Sequence, residues 1–171
     1  TMYLDNKLFL QALVEYKEIV DTATKNNTPL PQIPEFIGKC FKDICDHISR
    51  RSEFINYSYR DEMISDAYEN CIQYWHTFDG ATSNNPFGYF SRTVWNAFVR
   101  RINKEKRQQY IRYKMAFNSG LFDSTNRLTN SDGNAIMETD NLADNMHDFI
   151  QQYEQKMQDK KDLKNVIAAK K

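Results

Sequence analysis

Residues 85–108 read NPFGYFSRTVWNAFVRRINKEKRQ. Pro86 suits the first turn of a helix, where its fixed φ and missing N–H are both tolerated. Phe90, Val94, Ala97 and Phe98 recur at helical spacing and predict one packed side. Tyr89, Arg92, Thr93, Asn96 and Arg100, three or four residues apart, fall on another side. The pattern predicts a helix from about residue 86 to 114. Packing explains its aromatic residues but not its charge. Residues 92–114 hold Arg92, Arg100, Arg101, Lys104, Lys106, Arg107, Arg112 and Lys114 against Glu105, a balance of +7. The plain reading is a solvated helix with a few ion pairs. Yet one acid cannot neutralise the run, and like charges one turn apart cost about 0.2–0.5 kcal/mol per pair. A polyanion partner explains the run better.

Working outward, residues 61–78 (DEMISDAYENCIQYWHTF) predict a preceding helix. Ile64, Ala67, Tyr68, Cys71, Ile72, Trp75 and Phe78 form its inward stripe. Asp61, Glu62, Ser65, Asp66, Glu69 and Gln73 form an outward acidic face. A solvated surface is the default for such a face, but no Lys or Arg lies within 61–78 to balance it. That favours a protein partner with basic residues. DGATSNN, 79–85, is the loop between the two helices.

Further upstream, Asp5 or Asn6 can cap a helix reaching about residue 23, with Leu8, Leu10, Leu13, Val14, Ile19 and Val20 as its apolar surface. The prolines of NNTPLPQIP, 26–34, end it. A second helix fits 34–51, with Pro34 in its first turn and Ile37, Phe41, Ile44 and Ile48 at helical spacing. Downstream, NSGLFDSTNRLTNSDGN, 118–134, reads as a mobile loop. A final amphipathic helix fits about 141–166, using Leu142, Met146, Phe149, Ile150, Tyr153 and Met157. Residues 118–155 carry Arg127 against Asp123, Asp132, Glu138, Asp140, Asp144, Asp148 and Glu154, a balance of −6. The fold class is therefore all-α: a compact helical domain over 1–117, then an acidic, partly flexible segment over 118–171 with one further helix.

The chain has 171 residues and a formal net charge of zero. That length suffices for one domain with a real core. No apolar run approaches the roughly 20 residues of a membrane span, so no membrane association is expected, and no secretory signal is read. Cys40, Cys45 and Cys71, odd in number, predict reduced thiols in a cytoplasmic setting. Cys40, Cys45 and His47 fit no recognised zinc spacing, and buried thiols are the expected reading. Neither metal nor other cofactor is expected. No nucleophile–base pair or phosphate-cradling glycine loop suggests catalysis, so the chain is read as a non-enzyme.

Single-stranded bases need an aromatic face, polar groups for their edges and cations for the phosphates. Stacking is worth about 1–3 kcal/mol per base, and flipping a base costs a few kcal/mol. Tyr89 could stack, Asn96 could bond an adenine edge, and Arg92, Arg100, Arg101 and Lys104 could hold the backbone. Each residue also has a plain structural role: Tyr89 packing on Phe87 or the loop, Asn96 facing solvent. Trp95 could be a DNA wedge or a core residue, and is read as lying in the core or in a groove between helices.

The segment EMISDAYENCIQYWHTFD, its loop, and NPFGYFSRTVWNAFVRRINKEKR together resemble the second conserved region of bacterial sigma factors, of the sigma-70 family. With the opening LDNKLFLQALVEYK, the chain is similar to the late-transcription sigma factors of T-even-like phages over roughly residues 3–117. The resemblance implies an acidic-faced helix docked on the β′ clamp helices of core RNA polymerase. It implies a following helix that captures the non-template strand of a minus-ten promoter element. By position, Glu62, Ser65, Asp66, Glu69 and Ile72 would bind polymerase. Tyr89 would stack on a flipped adenine and Asn96 would face the upstream base pair. Arg92, Thr93, Arg100, Arg101 and Lys104 would complete the DNA contact.

Arg92 and Thr93 stand where primary sigma factors have a tryptophan wedge. That departure implies a melting step that depends more on A·T-rich DNA or on an activator. The resemblance further implies a late coactivator, a sliding clamp, and the cytoplasm of an infected bacterial host. The phage relatives lack a separate helix-turn-helix domain, for which this sequence leaves no room. They reach the clamp through a hydrophobic-acidic tail, whereas KDLKNVIAAKK closes this sequence and is basic. The expected function is recognition and opening of A·T-rich late promoters. The alternatives are a polymerase-independent DNA-binding regulator and a polymerase-interacting module without promoter specificity. Charge complementarity adds one expectation: the acidic segment folds over the basic helix and suppresses DNA binding until polymerase engages. A solvated tail is the competing reading.

Overall fold

A computed structural model describes residues 5–120 and 138–169, with the side chains of 138–141 left aside. The described residues are all-helical. Helix α1 spans Asn6–Lys25, α2 Glu35–Ser49, α3 Arg60–Tyr74, α4 Pro86–Asn118 and α5 Glu138–Ala169; a 3₁₀ turn, Trp75–Thr77, follows α3. By packing, the chain divides into two units, Thr1–Ile102 and Asn103–Lys171. The sequence pattern drew its line at residue 117. The packing places it inside α4, because Tyr110, Tyr113 and Phe117 lie against α5. The mobile loop expected over 118–134 lies, beyond Gly120, outside the described residues.

Asp5 caps α1, its Oδ1 accepting from the Lys7 and Leu8 amides at 2.9 and 3.2 Å. The face that α1 buries is not the one its aliphatic residues suggested. Phe9, Leu13, Tyr16 and Ala23 are buried, whereas Leu8, Val14 and Ile19 are exposed. Aromatic packing decides this: Phe9 meets Phe41 and Phe90 at ring-centroid distances of 5.9 and 5.7 Å. Pro34 sits at the N-cap of α2, one residue before its first turn. Ile37, Phe41, Ile44 and Ile48 are buried as the spacing predicted.

After α2, Phe54 turns inward from the loop and is 2% exposed, edge-on to Trp95 and Phe98. Ser49 is fully buried, and Arg60 satisfies it: Nε donates to the Ser49 carbonyl and Nη2 to its Oγ. The inward stripe of α3 holds Ala67 and Cys71, joined by Met63, which the pattern had not assigned. Ile64, Tyr68, Ile72 and Trp75 pack on the core only in part. Phe78 stays buried although the α-helix has already ended at Tyr74.

The three thiols are buried. Burial pushes Cys40 up to about 11. Cys45 is raised as well, by its hydrogen bond with Cys71 and by burial. In the second unit, Met146 and Ile150 are buried. Tyr110 stacks on Tyr153 at 4.6 Å, and Tyr113 meets Phe149 edge-on at 5.4 Å. These contacts carry α4 past residue 114 to Asn118.

Candidate nucleic-acid interface

The start of α4 is fixed by asparagines. Asn85 Oδ1 accepts from the Gly88 amide at 2.9 Å and satisfies one of the unpaired N–H groups of the first turn. A Cβ on residue 88 would lie 2.6 Å from Asn85 Nδ2, so Gly88 leaves room for that cap. Asn6, at the start of α1, reaches across the unit: its Oδ1 accepts from the Phe87 amide at 3.1 Å, and its Nδ2 donates to the Asn84 carbonyl at 3.4 Å.

This anchoring positions Tyr89 one turn into the helix. Its hydroxyl shares a 2.8 Å hydrogen bond with Thr77 Oγ1, and its ring stands edge-on to Phe78 and Phe90 at 5.3 and 5.2 Å. Tyr89 nonetheless remains 37% exposed. It packs on Phe78 and Phe90, and an accessible part of the ring remains. Thr93 Oγ1 donates back to the Tyr89 carbonyl at 3.2 Å. Arg92, Asn96, Arg100 and Lys104 are exposed, and Arg92, Arg100 and Lys104 have no ion-pair partner among the described residues.

Arg101 is placed differently. Its Nη1 lies 3.0 Å from Asp66 Oδ2 and 3.3 Å from Oδ1, with its side chain 18% exposed. Two residues assigned to separate partners, Asp66 to polymerase and Arg101 to DNA, therefore engage each other. Asp66 is only half-buried, so the acidic face of α3 is balanced in part from α4. Thr77 meets Tyr89 and Asp66 meets Arg101, in opposite order along the chain. The first half of α4 thus runs antiparallel to α3.

Glu62, Ser65 and Glu69 are exposed on α3, and Ile72 is half-buried beside them. Ser65 Oγ donates to the Asp61 carbonyl at 3.0 Å, and Glu69 Oε1 accepts from Gln73 at 2.9 Å. These are bonds within the helix and leave the face open to solvent.

Thr77 and Arg51 went unassigned in the sequence, and Asn6 was read only as an alternative cap of α1. Arg51 sits over the Trp95 ring at 5.5 Å, a cation–π contact beside the exposed face of α4. Trp95 itself is half-buried and packs on the core beside Phe54. Arg101 did leave a signal. Phe90, Val94, Ala97 and Arg101 continue one i, i+4, i+7, i+11 row, which is the packed row of α4.

In the second unit, Glu154 accepts from Tyr110 at 2.8 Å and pairs with Lys114 at 2.9 Å. Lys114, then Tyr110, hold the Glu154 carboxyl below its usual range, and Glu154 in turn raises both Lys114 and Tyr110. Glu154 of α5 thus engages the last residue of the basic run. No helix among the described residues is long and apolar enough to cross a membrane. Comparison with protein-family models and with curated proteins returns no match for this chain.

Proposed function

We propose that this chain is a sigma factor of the sigma-70 type that binds core RNA polymerase and directs it to short A·T-rich late promoters of a phage. The observation that carries the reading is the pairing of two open faces in one unit. α3 offers Glu62, Ser65 and Glu69 to a basic protein partner. α4 offers Tyr89, Arg92, Asn96 and Arg100 to an opened DNA strand, and the same helix carries Lys104 one turn further on, past the unit boundary. Thr77 fixes the Tyr89 hydroxyl, so the ring loses little conformational freedom when a base stacks on it. Cations without partners suit the phosphates of the non-template strand.

In this reading the protein is not an enzyme, requires no cofactor, and acts in the cytoplasm of the infected host with a late coactivator and a sliding clamp. The missing tryptophan wedge makes strand opening depend on weakly paired A·T steps or on the coactivator.

Runoff transcription with core polymerase and an A·T-rich template tests the proposal. The expected result is a discrete transcript that requires this chain. Glu62→Arg combined with Glu69→Arg abolishes core binding. Tyr89→Ala retains core binding and loses open complex, as expected from removing about 1–3 kcal/mol of stacking. Failure to co-elute with core polymerase lacking its own specificity subunit overturns the reading. Tight duplex binding by the isolated chain would mark a polymerase-independent regulator instead. Core binding without a transcript would mark an interaction module.

A further inference from the structure

The second unit contains a cleft of about 830 Å³ between α4 and the second half of α5. Arg107, Lys160, Lys161 and Lys164 rim it, and Ile111 and Met157 form its apolar floor beside Tyr110 and Tyr153. Glu154 is the one carboxylate on its lining, and it is already engaged by Lys114 and Tyr110. From Glu154 to Ala169 every position of α5 is exposed, Met157, Leu163, Val166 and Ile167 included. An isolated helical stretch of that length is marginal in water, and most helical stability comes from covering an amphipathic face.

Of the four lysines of this stretch, three line the cleft and Lys156 does not. Asp159 and Asp162 are not part of the cleft lining; they accept from Gln155 and Gln158, one turn earlier, the latter at the cleft edge. Lys160, Lys161 and Lys164 face the cleft and have no ion-pair partner among the described residues. Their charge is therefore available to a ligand.

We propose that this cleft is a docking groove for an acidic amphipathic helix of a partner protein. The partner's apolar residues would cover Ile111 and Met157, and its carboxylates would pair with Arg107, Lys160, Lys161 and Lys164. The floor distinguishes this occupant from a nucleic acid. Tyr110 and Tyr153 are stacked on each other with planes 19° apart, so a base cannot enter between them. Ile111 and Met157 offer a phosphate nothing. Met157 adds a flexible, polarisable surface of the kind that accepts varied helical ligands. The proposal is independent of the promoter-binding reading.

The test uses the full chain and a fluorescent peptide with leucines at i, i+3, i+4 and i+7 and glutamates elsewhere. Fluorescence anisotropy is expected to show saturable binding. Lys160→Glu with Lys164→Glu should weaken it by at least about tenfold, and Met157→Ala by about fivefold. Both changes lie on exposed positions, and an unchanged helical circular dichroism signal establishes that the variants fold. In a labelled sample the methyl resonance of Met157 should shift on titration. Three results overturn the proposal: no saturable binding, equal binding of a polyglutamate peptide without leucines, or displacement of the leucine peptide by a single-stranded oligonucleotide at similar concentration. A concentration-dependent dimer that excludes the peptide also overturns it, since a second copy would then be the occupant.

Discussion

Removing the Asp66–Arg101 pair separates a structural contact from a DNA contact. Charges about 4 Å apart attract by about 4 kcal/mol at an effective dielectric of about 20, and by about 1 kcal/mol in water. Asp66 keeps 39% of its side-chain exposure and Arg101 18%. Solvent screening therefore pulls the coupling toward the lower figure, to about 1–2 kcal/mol. Urea denaturation of the parent, Asp66→Ala, Arg101→Ala and the double variant measures it as a double-mutant cycle. The same variants then enter salt-dependent DNA binding with the polymerase complex. Arg100→Ala and Lys104→Ala should each lower the log–log salt slope by about 0.7, one single-strand phosphate contact. Arg101→Ala should leave it unchanged, because its guanidinium is committed to Asp66. A coupling below about 0.3 kcal/mol, or a slope change for Arg101→Ala equal to that of Arg100→Ala, refutes the reasoning. For the same reason Glu62 and Glu69 test polymerase docking more cleanly than Asp66 does.

Phe90→Ala should cost about 3–5 kcal/mol in thermal or urea unfolding, since Phe90 is 1% exposed and meets Phe9, Phe41, Phe78 and Tyr89. The Glu154 contact has a pH window. Because Glu154 is lowered from 4.5 when folded, its contribution is present above that value and is lost as pH falls through the folded value. Because Lys114 is raised from 10.5, its contribution is present below that value and is lost as pH rises through the folded one. Ring resonances of Tyr110 and Tyr153 should therefore report loosening at both extremes and none between. Cys40, pushed up to about 11 by burial, should react with iodoacetamide at pH 8 only after denaturant is added. Rapid alkylation of the native chain would contradict its burial.

Much of the fold was legible because hydrophobic period is a local signal. The apolar rows of α2 and α4, four residues each, the Asp5 cap and the stop at the 26–34 prolines all follow from neighbours in sequence. What was missed depends on partners far along the chain. Phe9 displaced Leu8 as the inward residue of α1 because two phenyl rings from α2 and α4 await it. α3 was read through residue 78 because Phe78 keeps the apolar rhythm, although the backbone tightens into a 3₁₀ turn after Tyr74. α4 extends to Asn118 because α5 supplies stacking partners that no helix rule anticipates. In the candidate site, exposure of Tyr89, Arg92, Asn96 and Arg100 agreed with their spacing. Arg101 was grouped with its charged neighbours although it lay on the row of Phe90 and Ala97. Charge masked register there.

The two hydrogen bonds of Asn6 join positions 78 and 81 residues apart. During synthesis, the amide of Phe87 can meet its acceptor only after that residue has left the ribosome and α1 has folded back to it. The end of α4 that presents Tyr89 is consequently completed late. A nascent chain cut short of this point would expose neither a finished stacking surface nor a closed first turn, and removing Asn6 would free the Phe87 amide again.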